Sequence, residues 1–143
     1  MYDRLCCMAG LTWNKIKYDV KVDKMNEQHK VLFNILDALY KAMENKDDRN
    51  ALVKIINDLI TYSKQHLTTE EALLEKYYYP ELAEQKEQHK LFIAKIEEFK
   101  EDFRKNHFML HFNMAIFLKT WISNHIEVLD KKYSQFLNDR GVF

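Results

Sequence analysis

An internal repeat limits this chain's fold more than any other feature. Asn26-Glu-Gln-His29-Lys-Val-Leu-Phe33 is echoed by Lys86-Glu-Gln-His89-Lys-Leu-Phe92. The interval from His29 to His66 is 37 residues, and from His89 to His125 it is 36. Each half is long enough for two helices and a turn, with one histidine per helix. A repeated helical hairpin closes most simply as an antiparallel up-and-down four-helix bundle with approximate two-fold symmetry. That closure brings all four histidines to one level.

The remaining patterning predicts an all-α chain. Two glycines and one proline in 143 residues leave few of the turns a β fold needs. His29, Leu32, Phe33, Leu36, Leu39, Tyr40 and Met43 recur at steps of three and four, predicting a first helix over about 27–45 with Asn26 as its N-cap. A second stripe runs through Leu52, Ile55, Ile56 and Leu59 into His66 and Glu70. After Tyr77-Tyr-Tyr-Pro80, read as a corner sealing the bundle end, a third carries Leu82, Gln85, His89, Phe92, Ile96, Phe99 and Phe103. The fourth carries Ala115, Leu118, Trp121, Ile122 and His125, then Leu129 and Asp130. Polar runs at Glu44–Asn50 and Arg104–His107 separate the helices. The expected organisation is an irregular arm over 1–25, a bundle over 26–138 and a tail over 139–143. Trp13, Tyr18, Val20 and Val22 should anchor the arm over the end of the bundle.

Two carboxylates join the histidines. His66 and Glu70 stand four residues apart, hence on one helix face. Asp130 follows His125 by five, about 140° around an ideal helix. For both to reach one site, the helix must end, loosen or bulge between them. Four imidazoles and two carboxylates buried together leave donors and acceptors unmet unless a cation joins them. The set suits iron, manganese, zinc or cobalt. Six ligands exceed what a closed structural zinc takes and suit two octahedral ions bridged by both carboxylates. A histidine-rich set with few anions favours reversible dioxygen chemistry over oxygenation.

Other classes are set aside by composition. Twenty-two basic and 22 acidic residues give no field of one sign for nucleic acid or an anionic membrane. Cys6 and Cys7 are adjacent, which suits no disulfide scaffold and fits a reducing compartment. No apolar run reaches the roughly 18 residues of a membrane span, and MYDRLCCMAGL makes a poor signal peptide. A cytoplasmic protein, monomeric or weakly oligomeric, is expected. His107 and His111 are read as bundle-end residues rather than a second metal site, and Trp121 as a packing residue.

HLTTEE, the YYYP corner, EQHKLF and above all WISNHIEVLDKKY resemble the bacterial hemerythrins, as does the leading segment WNKIKYDVKVDKMNEQHKVLF. The resemblance covers about residues 11 to 138. It implies a non-haem centre of two iron ions with an oxo or hydroxo bridge that binds dioxygen reversibly. Position by position, it implies that His29 and His66 hold the iron that takes dioxygen. His89 and His125 would help hold the other, with Glu70 and Asp130 bridging. Ile122, Ile126 and Val128 would keep the oxygen pocket apolar. The implied role is storage, delivery or sensing, without catalytic turnover. A chain ending a few residues beyond its bundle is expected to carry no output domain, which counts against sensing.

One position departs from the family pattern. Where the family has a histidine four residues before the place of His89, this chain has Gln85. Gln85 is expected to coordinate weakly through its amide oxygen, to hydrogen-bond a metal-bound water, or to stand aside. The consequences to expect are faster oxidation, access of peroxide or nitric oxide to the second iron, or loss of that iron to leave one iron or another divalent metal. The alternative function on that basis is a di-iron enzyme handling peroxide or nitric oxide. A bundle that holds no metal in the cell is the reading furthest from these.

Overall fold

The computed structural model describes residues 11–44, 49–105 and 110–143, with Leu110 and His111 described by backbone alone. Cys6, Cys7, His107 and the side chain of His111 lie outside the described residues. Helix α1 spans Lys15–Tyr18, α2 Asp23–Glu44, α3 Arg49–Lys76, α4 Leu82–Arg104 and α5 Leu110–Asn124. A π-turn over His125–Asp130 then runs into α6, Lys131–Asn138. Every described element is helical. The last three form one continuous rod, making the fourth helix of the bundle. Helix α2 packs on α3, α3 on α4, α4 on α5 and α5 back on α2. The result is the antiparallel ring that the repeat predicts. None of these helices is long and apolar enough to cross a membrane.

The buried stripes are those the 3.6-residue period selects. Leu32, Phe33, Leu36 and Leu39 of α2 meet Ile56, Leu59 and Ile60 of α3, Phe92, Ile96 and Phe99 of α4, and Met114, Leu118 and Ile122 of α5 in one core. Burying such side chains stabilises a domain by about 1.5–3 kcal/mol each before conformational entropy is counted.

The start of α2 differs from expectation. Asn26 lies inside the helix, its N–H donating to the Val22 carbonyl at 3.0 Å. Its side chain is used by the preceding segment instead: Oδ1 accepts from Val20 N at 3.0 Å, and Nδ2 donates to Asp19 Oδ1 at 2.7 Å. The same side-chain chemistry that would cap a helix here ties the arm to it. The arm also runs along the bundle rather than over its end. Trp13 and Tyr18 pack against Phe33, and the Tyr18 hydroxyl lies 3.0 Å from Ser123 Oγ. Lys131 Nζ and Asn138 Nδ2 then hold the carbonyls of Ile16 and Lys21.

The tyrosine corner divides its labour. Tyr79 is buried against Tyr133 and Phe136, while Tyr78 is 90% exposed. Tyr79 N donates to Leu74 O at 2.9 Å and Tyr78 N to Glu75 O at 3.0 Å. This crossed pair closes α3 as a Schellman motif, which needs a left-handed residue at Tyr78, whose φ is 56°. The C-terminal end repeats the motif with Gly141 at φ 80°, where no side chain opposes it. Replacing Tyr78 by glycine should therefore stabilise the protein by about 0.5–1 kcal/mol, read as a higher urea midpoint. A lower midpoint would contradict the strain assigned to Tyr78.

Candidate metal centre

Each bundle helix delivers its polar residues to one level. Helix α2 supplies His29, α3 supplies His66 and Glu70, α4 supplies Gln85 and His89, and the last rod supplies His125 and Asp130. All seven are buried, with His125 the most exposed at 4%. The five-residue step from His125 to Asp130 is met by the π-turn. Closing on i+5 instead of i+4, it turns both side chains to one face. His125 Nε2 and Asp130 Oδ1 stand 3.1 Å apart as a result.

These groups form two triads that share one carboxylate. The ligand atoms of His29, His66 and Glu70 lie within 4.8 Å of one another, as do those of Glu70, His89 and His125. Glu70 Oε2 is 3.4 Å from His66 Nε2 and 3.6 Å from His89 Nε2. Asp130 also spans the halves, with Oδ2 3.2 Å from His29 Nε2 and Oδ1 on His125. The Gln85 amide nitrogen donates to Asp130 Oδ1 at 3.1 Å.

The donor set fits cations and little else. Glu70 Oε1, His29 Nδ1 and Gln85 Oε1 are buried without a hydrogen-bond partner in the protein, and the approaches of Glu70 Oε2, Asp130 Oδ2 and His29 Nε2 to their neighbours fall outside hydrogen-bond geometry. Leaving so many polar atoms unpaired in an apolar core costs several kcal/mol, and two cations would satisfy the metal-facing ones together. The outer nitrogens of two rings are already committed. His66 Nδ1 meets Gln28 Oε1 at 2.7 Å and His89 Nδ1 meets Glu71 Oε1 at 2.8 Å. Such contacts fix the ring tautomer and turn Nε2 inward. Sequence reading missed both partners. Glu71 lay in plain view beside Glu70, but which helix it faces depends on packing. The Tyr133 hydroxyl, buried beside Glu70, was missed for the same reason.

An apolar cavity of about 10 Å³, room for one water-sized molecule, opens against this cluster. His29, His66, His125 and Asp130 meet it from one side, and Leu32, Leu67, Phe92, Trp121, Ile122 and Ile126 wall the other. Trp121 stacks on His125 with ring centres 4.2 Å apart and on Phe92 at 3.8 Å. Ile122 and Ile126 line this cavity. Val128 does not: it is 56% exposed and faces an outer groove with Gln88, Phe117 and Asn124. Three residues beyond His125, it would share the inner face of an α-helix. The wider π-turn carries it past that face to solvent.

Burial sets the protonation states. It pushes His66 down to about 3, helped by His29, and lowers His89, helped by His125. Burial and the Asp130 charge hold Glu70 well above the usual carboxyl range. Burial would raise Asp130 too, but His125 and His29 overcome it and hold Asp130 well below its usual value. The His66 and His89 rings kept neutral and Asp130 kept ionised are states that a cation requires.

In the metal-free protein these shifts make stability depend on pH. Below the ordinary histidine value of 6.5, the unfolded chain takes up protons that folded His66 and His89 refuse. Stability present above 6.5 is therefore lost on acidification, by up to about 1.4 kcal/mol per pH unit for each ring. Glu70, raised, opposes this with a single proton. The urea midpoint of metal-free protein should fall from about pH 7 to about pH 5, and fall more steeply in Glu70→Gln. A midpoint that rises over that range would contradict the assignment.

The sequence pattern of the hemerythrin HHE cation binding domain matches residues 20–137. A bacteriohemerythrin of Clostridium acetobutylicum is 31% identical, covering 83% of this chain and 95% of its own length. One of Methylococcus capsulatus is 25% identical over 92% of this chain and 99% of its own. A myohemerythrin of Riftia pachyptila is 29% identical over 81% and 85%. The crystal structure of a wild-type hemerythrin superposes with a TM-score of 0.82 at 24% identity, covering 89% of this chain and 97% of that one. That last likeness speaks for the fold alone. By the extent of the domain match and the level of identity, the chain belongs to the hemerythrin HHE cation-binding family.

Proposed function

We propose that this chain holds two iron ions in a non-haem centre and binds dioxygen reversibly in the apolar cavity beside it. The observation that carries the reading is the sharing of Glu70 by two buried triads. His29 and His66 would hold one ion and His89 and His125 the other, with Glu70 and Asp130 bridging. The bacteriohemerythrin and myohemerythrin relatives support the same reading. When bound, a bridged iron pair supplies the reversible two-electron chemistry that dioxygen uptake needs.

The protein's own part is positioning and exclusion. Gln28 and Glu71 hold the His66 and His89 rings in register from behind. Leu32, Phe92, Ile122 and Ile126 keep bulk water from the cavity, which disfavours charged species leaving it and so slows oxidation of the centre. Among the described residues, Ser63 is the one hydroxyl lining that wall. Such a dry pocket suits storage or delivery of a neutral diatomic gas more than turnover.

Protein loaded with ferrous iron should carry two irons per chain, show oxo-bridge charge-transfer bands in air, and lose and regain them as oxygen is removed and readmitted. One iron or fewer, without those bands, would overturn the reading. Glu70→Ala removes a donor from both ions and should reduce iron to below one per chain. His89→Ala strips one half and should leave about one. Iron should also raise the melting temperature of the wild-type protein, since only the folded chain presents the site.

A further inference from the structure

The two halves of the centre differ at one position. The repeat that pairs His29 with His89 pairs Met25 with Gln85, each four residues earlier on its helix. Both are buried, Met25 at 0% and Gln85 at 1%. A thioether is a poor donor for a hard cation, so the first half has two imidazoles and one oxygen from each carboxylate. The second half would have the same four protein donors, and among the described residues only Gln85 stands to add a fifth.

The hydrogen bonding of Gln85 speaks against that addition. A carboxylate only accepts, so the amide nitrogen must face Asp130 Oδ1, where it lies at 3.1 Å. Oδ1 is also the oxygen in contact with His125 Nε2. The amide is thus committed as a donor to a candidate bridging ligand. Its carbonyl oxygen is buried without a partner, and an amide oxygen is a weaker donor than an imidazole. Charge decides what a vacant place would take. Four imidazoles and one amide are neutral, so two carboxylates and a bridging oxide would still leave two ferric ions with a net positive charge. A small anion is favoured there over a neutral ligand.

We propose that the metal position bounded by His89 and His125 keeps a coordination place open to a small exogenous anion of the azide or hydroperoxide kind, with Gln85 forming the hydrogen-bonding wall of that place and steadying Asp130. This rests on the two-metal reading above. It makes both halves of the centre open, the second through the place beside Gln85.

The test is the azide stoichiometry of the iron-loaded, fully oxidised protein. Calorimetry and the infrared bands of isotope-labelled azide count the bound ligands, with iron per chain measured on the same sample. Wild type should bind two azides per two irons in two distinguishable environments. Gln85→His should bind one at unchanged iron content, and Gln85→Leu, which offers neither donor nor acceptor, should again bind two. One azide in wild type with two irons would overturn the inference and leave the two-metal reading standing. Two azides in Gln85→His would overturn the assignment of the second place to position 85. Fewer than two irons in wild type would instead overturn the two-metal reading itself.

Discussion

Two carboxylates at the centre of an apolar bundle, Glu70 and Asp130, are the constraint on which the rest of this structure depends. Both are fully buried. An isolated ionised carboxylate there would cost more than the whole net stability of a domain of this size. The fold resolves this by surrounding them with imidazoles from all four helices. Two rings face each carboxylate: His66 and His89 face Glu70, His29 and His125 face Asp130. The pairing crosses the halves of the repeat, so each carboxylate ties one hairpin to the other. The contacts that keep the helices in register are the same contacts that would hold the cations.

The approximate two-fold symmetry is followed in the ligands and broken around them. Gln28 backs His66 and Glu71 backs His89. Their counterparts in the repeat are Gln88 and Lys131. Gln88 faces an outer groove, and Lys131 reaches to the Ile16 carbonyl of the arm. His125 is steadied instead by the flat stack of Trp121 and Phe92. The apolar cavity lies against His29, His66 and His125, while the amide of Gln85 reaches the cluster through Asp130. The repeated hairpin thus builds a cluster with two chemically different ends.

What the sequence made legible followed from periodicity. His29, His66, Glu70, Gln85 and His89 lie on stripes of steps three and four, and a stripe fixes which face is buried wherever the helix is regular. Where the helix is not regular, the reading slipped. Asp130 could be placed only by supposing an irregularity after His125, and the π-turn supplies it. The same turn rotates Val128 outward, against the expectation that it lines the oxygen pocket. Asn26 slipped for another reason: its amide can cap a helix or hold a neighbouring segment, and sequence does not say which partner is nearer. Gln28, Glu71 and Tyr133 act across helix boundaries, and their roles emerge only once the helices are packed.

If one buried carboxylate pair joins two cation positions, the ions must lie on either side of Glu70 and Asp130. Anomalous diffraction from crystals of the iron-loaded protein tests it directly. Two iron peaks are expected, one beside His29 and His66 and the other beside His89 and His125, with Glu70 and Asp130 in contact with both. A single peak, or two peaks that share neither carboxylate, would contradict it.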